Sequence, residues 1–262
     1  MNITKRNFLI GGIASILASK RCPAIVTKSL ISSRESIFTT DTGSDIPDVP
    51  YVKEGLIAMW DSIGNVGWEE NDPSSIIWKD LIGDVDLHLN DKCTWTDDGL
   101  QFNGKDSYAY ADTPLGYWSN VKTLDVCLKI EAQPIRAGIV ILGSEESRLS
   151  LLIGGYRLQG YKIPFYRRYE TASAVLTLNH VARIDIYPYS APWFIDGYPD
   201  EAHSNNNNWN TSYDVPGTYL GMNANGTEYF KGRIRSIRVY SRALREEEIL
   251  GNYLVDKERF GF

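Results

Sequence analysis

Leu124, Val126, Leu128 and Ile130 alternate without a break with Asp125, Cys127, Lys129 and Glu131. Successive side chains of a strand point to opposite faces, so this segment reads as a strand with one apolar and one wet face; a helix would scatter the same residues around its axis. The apolar set is expected in a core, with Asp125, Cys127 and Lys129 facing away from it. Ile184 and Ile186 alternate in the same way with Arg183, Asp185 and Tyr187, which places both isoleucines inside and Asp185 outside. Short apolar runs bounded by Gly, Asn, Asp and Pro predict further strands over 55–60, 100–103, 107–111, 138–142, 148–153, 174–178, 193–195, 218–220 and 232–240. The run at 55–60 is continuously apolar, as in a strand covered on both faces. In 232–240, Ile234 has the opposite parity to Ile237 and Val239, and a bulge near Arg235 and Ser236 would bring all three to one face.

Only one segment of the body predicts a helix. It begins after Ser241 to Leu244 and carries Glu246, Glu247 and Glu248 early, where acidic groups suit the positive end of the helix dipole. Many short strands with one helix predict an all-β, two-sheet antiparallel jelly-roll sandwich with a short C-terminal helix. No internal repeat of propeller or β-helix length is visible. The 262 residues suffice for one large domain or two small ones, and 16 Tyr and 7 Trp are a high aromatic content.

The N-terminus differs in kind. Residues 1–36 carry six basic residues against Glu35 alone, whereas the remainder holds 21 basic and 32 acidic residues. An acidic body is a poor non-specific binder of nucleic acid, so no nucleic-acid partner is expected. Residues 1–26 read as a basic, apolar N-terminal arm, extended or helical, or as a signal-like segment. Residues 27–50 read as a linker and 51–262 as the sandwich. No apolar run is long enough to span a bilayer as a helix. Lys5 and Arg6 precede an apolar stretch, and the sequence from Thr4 to Leu9 approaches a twin-arginine export motif. Lys20 and Arg21 follow that stretch, where positive charge hinders translocation. Two readings stay open, cleavage after export or retention as an anchor. The flanking basic residues favour an anchor, with Phe8, Leu9, Ile10, Ile13, Ile16 and Leu17 docking in a partner's groove and several copies gathering where the arms meet. Cys22, Cys93 and Cys127 lack metal-site or redox spacing, and Cys93 and Cys127 are candidates to pair if the chain is exported.

Residues 230–244, followed by Glu247, Glu248 and Ile249, resemble the closing strand and helix of laminin-G-like jelly rolls, the concanavalin A-like superfamily. The Trp193-Phe194-Ile195-Asp196-Gly197 stretch resembles that family's strand ending in an Asp-Gly turn. Leu100-Gln101-Phe102-Asn103-Gly104 resembles an early strand, and 55–60 fits the first. The opening at 51–61, the segment 78–83 and the end at 252–260 resemble a subset common in proteins of gut bacteria and their phages, including virion and tail-associated proteins. The resemblance covers about residues 51–255. It implies the sandwich fold, but this fold hosts lectins, glycanases and structural modules alike.

Retaining glycanases need two carboxyls about 5–5.5 Å apart, and in this superfamily they stand at alternate positions of one strand, as in Glu-x-Asp-x-Glu. No such pattern is present: Asp125 is followed by Cys127 and Lys129, and Glu145 and Glu146 are adjacent. His88, His180 and His203 show no HExxH or nucleophile pattern and read as surface or strand-end residues. No catalytic residue is assigned, and the chain is expected not to be an enzyme. No cofactor is required; calcium is the candidate ion, with Asp84, Asp86 and Asp91 as its ligands. For carbohydrate, the expected residues are Tyr187, Tyr189, Phe194, Asn208 and Trp209, because sugars stack their C–H faces on rings while amides orient hydroxyls. A second aromatic group runs from Tyr156 to Tyr169. The reading that follows is a non-catalytic structural or adhesion protein of a phage particle, located in the virion. Its arm (residues 1–40) would hold another virion protein, and its jelly roll would face outward toward host-surface glycan. The alternative is an exported, surface-associated bacterial carbohydrate-binding protein. A glycan-active enzyme comes third.

Overall fold

In the computed structural model the described residues are 50–63, 74–114, 116–132, 136–143, 149–154, 157–162, 167–170, 178–184, 192–200, 203–205, 216–223 and 226–262. The N-terminal arm, with Phe8, Leu9, Ile10, Ile13, Ile16 and Leu17, lies outside them. In chain order the elements are β1 (Leu56–Asp61), β2 (Ile77–Trp78), β3 (Leu87–Leu89), β4 (Thr94–Thr96), β5 (Gly99–Asn103), β6 (Ala109–Ala111), β7 (Thr123–Ile130), β8 (Arg136–Leu142), β9 (Leu149–Gly154), β10 (Arg157–Lys162), β11 (Arg167–Glu170), β12 (His180–Ile184), β13 (Trp193–Ile195), β14 (Tyr198–Asp200), β15 (His203–Asn205), β16 (Thr218–Leu220), β17 (Lys231–Tyr240) and α1 (Glu246–Phe260).

The strands form two antiparallel sheets. The first runs β14-β13-β12-β7-β17-β5-β4, with β1 added beside β17; the second runs β15-β11-β10-β9-β8-β16-β6-β3-β2. Strand β17 organises the first sheet. It pairs with β7 along one edge, while β5 and β1 share the other. Its register slips between Ile234 and Ser236. That bulge is what brings Ile234, Ile237 and Val239 into the same buried core.

The core lies between the sheets. Leu124, Val126, Leu128 and Ile130 enter it from β7, as the alternation requires, and Leu87, Leu89, Ala109, Ala111 and Leu220 meet them from the second sheet. Trp60, Trp78 and Trp118 are buried there too. Each finds a partner for its indole N–H: Val85 O at 2.9 Å, Asp61 O at 3.1 Å and Thr218 Oγ1 at 2.8 Å. A buried donor left unpaired would cost about 1–3 kcal/mol. Gly221 sits at φ 76°, and a Cβ there would stand 2.1 Å from the Phe102 ring, so the core admits no side chain at this position.

Helix α1 covers the outer face of the first sheet. Its first turn carries Glu246, Glu247 and Glu248, its last turn Lys257 and Arg259, and Gly261 closes it in the left-handed conformation at φ 69°. It extends ten residues beyond Leu250, further than the sequence pattern indicated. Beneath it a second apolar cluster forms from Ala182, Ile184, Phe194, Tyr240, Leu244 and Ile249.

The structure changes four expectations. Asp125 and Cys127 do point away from the inter-sheet core, but both are fully buried, because α1 rather than water lies over them; Lys129, near the end of the same strand, is exposed. Ile184 packs under the helix, not between the sheets, and Val181 takes the inward position. His180 is buried rather than at the surface. Cys93 and Cys127 are both free thiols, so they do not pair. Ile186 and Asp185 lie outside the described residues. The Asp196-Gly197 turn is as the motif implies: both residues have positive φ, 48° and 81°, and they join β13 to β14 as a tight hairpin.

Candidate functional site

Two clusters of polar side chains stand out, one on each sheet's outer face. The first lies under α1. Arg238 Nη2 donates to Asp125 Oδ1 at 2.8 Å, and Arg238 Nη1 donates to Asp256 Oδ1 at 2.9 Å. Asn252 Nδ2 donates to Asp125 Oδ2 at 2.7 Å, and the Tyr51 hydroxyl donates to Asp256. The Tyr51 ring lies 4.2 Å from the Arg238 guanidinium carbon. Burial raises the carboxyl of Asp125, but Arg238 and His180 more than offset it and hold it well below the usual carboxylate range. Arg259, further along the helix, pairs with buried Asp61.

Asp125, His180 and Asp256 are the one group of three among the described residues whose donor atoms lie close enough together to hold a metal ion, all within 4.8 Å. His180 Nε2 stands 2.6 Å from Asp125 Oδ1 without the alignment of a hydrogen bond, and its Nδ1 has no hydrogen-bond partner. The guanidinium of Arg238 already sits against the same carboxylate oxygens. A metal would bring a second cation into a closed space, so the group is a charge-compensated clasp between helix and sheet.

The second cluster is open. A cleft of about 340 Å³ lies over one end of the second sheet, lined by Asp84, Val85, Asp86, His88, Tyr110, Ala111, Asp112, Thr113, Pro114 and Tyr117. Alternation builds it. In β3 the two leucines point inward and His88 outward; in β6 the two alanines point inward and Tyr110 outward. His88 and Tyr110 are direct cross-strand partners, with ring centroids 5.8 Å apart. Tyr219 of β16 is the next residue in the same row, opposite Tyr110. Tyr110 is 40% exposed and Tyr117 39%.

The loop 80–86 supplies two of the three carboxylates, and Asp112 follows β6. Asp80 holds the loop in shape, accepting the backbone N–H groups of Met59, Ile82 and Val85. Its own carboxyl is raised by burial. Asp84 accepts the Tyr117 hydroxyl at 2.6 Å, and Asp86 pairs with Lys79. Burial and the Asp84 charge push the Tyr117 phenol up to about 12, so it remains a neutral donor. Tyr117 packs edge-on against Trp118 at 4.7 Å, which ties the cleft wall to the core.

The structure thus redistributes the residues the sequence singled out. Asp84 and Asp86 reach the cleft, but Asp91 stands apart, exposed and paired with Lys92. The three calcium candidates are not brought together. Phe194 is no ligand platform: only 3% exposed, it packs in the apolar cluster under α1. Tyr187, Tyr189, Asn208 and Trp209 lie outside the described residues, as do the side chains of the group from Tyr156 to Tyr169. Tyr110, Tyr117, His88 and Asp112 were missed. For His88 and Tyr110 the signal was present in Leu87-His88-Leu89 and Ala109-Tyr110-Ala111, where one ring stands alone between two inward apolar residues.

No protein-family model and no curated protein sequence matches this chain. Solved structures do. The chain is similar to Trypanosoma rangeli sialidase, at 18% identity and a TM-score of 0.56, over 82% of this chain and 36% of that one. The same sialidase in complex with sialic acid matches with a TM-score of 0.56 at 18% identity over 88% of this chain and 38% of that one. The receptor binding domain of botulinum neurotoxin D matches with a TM-score of 0.51 at 10% identity, over 77% of this chain and 52% of that one. At these identities the likeness is one of fold, a two-sheet β-sandwich. The chain spans little more than a third of the sialidase chains and about half of the neurotoxin domain. These matches correct one expectation. A chain lacking Glu-x-Asp-x-Glu was expected not to be an enzyme, yet the structures it matches include sialidases, so the missing motif does not separate this fold from enzymes.

Proposed function

We propose that the chain is a carbohydrate-recognition β-sandwich whose binding surface is the cleft between His88, Tyr110 and Tyr117. The observation that carries this reading is the pairing of half-exposed rings with carboxylate acceptors in one open cleft. A pyranose offers an apolar C–H face to a ring and hydroxyl donors to carboxylates, and both are present here at adjacent positions. Its fold relatives lend support, since one is a sialidase holding sialic acid and another is a receptor-binding domain. We propose further, on sequence grounds alone, that residues 1–40 anchor the domain to another structural protein, as in a virion, with export as the competing reading. Mass spectrometry of the native protein distinguishes these: a chain starting near Ala24 or Ile25 rejects the anchor.

The test of the cleft is a glycan array probed with the full chain and with Tyr110→Ala. Loss of a stacking ring that acts as a hot spot is expected to weaken binding by about 1–3 kcal/mol. Glycan binding that is indifferent to Tyr110→Ala would move the site elsewhere. Three carboxylates in one cleft are also the group type that glycoside hydrolysis employs. Product analysis of the bound glycans therefore reads, in the same experiment, whether they are cleaved.

A further inference from the structure

The charge of the cleft selects among sugars. Asp84, Asp86 and Asp112 line it, and no Lys or Arg is among the lining residues. Lys79 neutralises Asp86 from outside the lining. Among the described residues no Lys or Arg forms an ion pair with Asp84 or Asp112, and both are exposed at the mouth. The hydroxyl that Asp84 accepts, from Tyr117, is neutral and stays so, which leaves the carboxylate charge in place. The net charge of residues 37–262 has the same sign, with 32 acidic against 21 basic residues.

We infer that the cleft takes neutral saccharides and rejects sialylated, uronic or sulfated ones. This rests on the glycan-binding reading above and narrows it. Two uncompensated carboxylates are good acceptors for vicinal hydroxyls. They repel an anionic sugar brought within a few ångströms, a distance inside the screening length of physiological or more dilute salt. The ligand class therefore lacks the negative charge of the sialic acid held by one sialidase of similar fold. Rejection of this kind works through repulsion as much as through attraction to the correct ligand.

The experiment uses the full chain on an array holding neutral oligosaccharides and the same oligosaccharides capped with sialic acid or sulfate. Hits are followed by titration at 0.02 M and 1 M salt. Neutral members are expected to bind at least about tenfold more tightly than their capped forms at low salt. The gap should shrink at 1 M salt, where the screening length falls to about 3 Å. The double variant Asp84→Asn, Asp112→Asn, which keeps an acceptor oxygen at each position, should narrow the gap at low salt as well. Tighter or equal binding of capped glycans, lost in Tyr110→Ala, would overturn this inference while leaving the glycan-binding cleft standing. Array hits unaffected by Tyr110→Ala, or none at all, would overturn the cleft itself and the selectivity with it.

Discussion

The two outer faces of this sandwich carry similar side chains and put them to different use. Both present Asp, His and Tyr at alternate strand positions. On the first sheet, α1 lies over them, so Asp125, His180 and Arg238 are removed from water and must satisfy one another. On the second sheet, among the described residues, His88, Tyr110 and Asp112 remain open to solvent. The chemistry of a side chain does not decide between clasp and binding surface; its cover does. Buried, a carboxylate is strongly destabilising unless paired, whereas exposed it costs little and stays available.

That contrast is open to direct attack. Arg238→Met should have the largest effect, because it leaves Asp125 and Asp256 buried without their cation; a loss of about 3–5 kcal/mol in denaturant unfolding is expected. If the remaining folded fraction also loses glycan binding, the two faces are coupled and the division drawn here is wrong. Phe194→Ala should cost roughly 3 kcal/mol through the cavity it leaves beside Ala182 and Ile249. Glycan affinity should not change, and a change would return Phe194 to the binding surface.

Acid probes the start of the covering helix through Glu248. Its carboxylate receives both terminal nitrogens of Arg242 at 2.8 Å and the Arg245 backbone N–H at 2.8 Å. Those partners pull its pKa down from 4.5 to about 2. A carboxyl depressed on folding stabilises the protein above its unfolded value, and this contribution is lost as pH falls from about 4.5 toward 2. Glu248→Gln should therefore cost about 1.5–3 kcal/mol at pH 7 and almost nothing near pH 2. A pH-independent difference would show that the helix start does not depend on this charge. The smallest effect on stability is expected on the open face. Tyr117→Phe removes one hydrogen bond from a partly solvated site, so unfolding should shift by no more than about 0.5 kcal/mol. A larger loss would mean that the cleft wall is structural.

Much of the fold was legible because strand periodicity is a local property. The β7 alternation, the doubly covered run of β1 and the bulge at Arg235 and Ser236 all follow from neighbours in the chain. The candidate site was far less legible. Sequence reasoning weighed rings by their number in a loop, and so turned to Phe194 and the segments near it. The cleft instead takes a single ring from each of two short strands, a third from the turn at Tyr117, and two of its three acids from a loop braced by Asp80. The strand at 107–111 is legible, but β3 is not, and a single outward ring between two inward residues does not announce the neighbour it meets across the sheet.

The sequence by itself determined which residues of each strand share a face: Asp125 with Cys127, His88 opposite to Leu87 and Leu89, Ile234 brought round by a bulge. Backbone geometry settles that within a few residues. Only the tertiary structure decided what lies over each face. The partners that make Asp125 a buried anion are Arg238 and Asn252, more than a hundred residues away. The acids and rings of the cleft meet only because β3, β6 and β16 pair side by side. Whether a polar face is sealed or open depends on contacts between distant segments, and no local pattern encodes them.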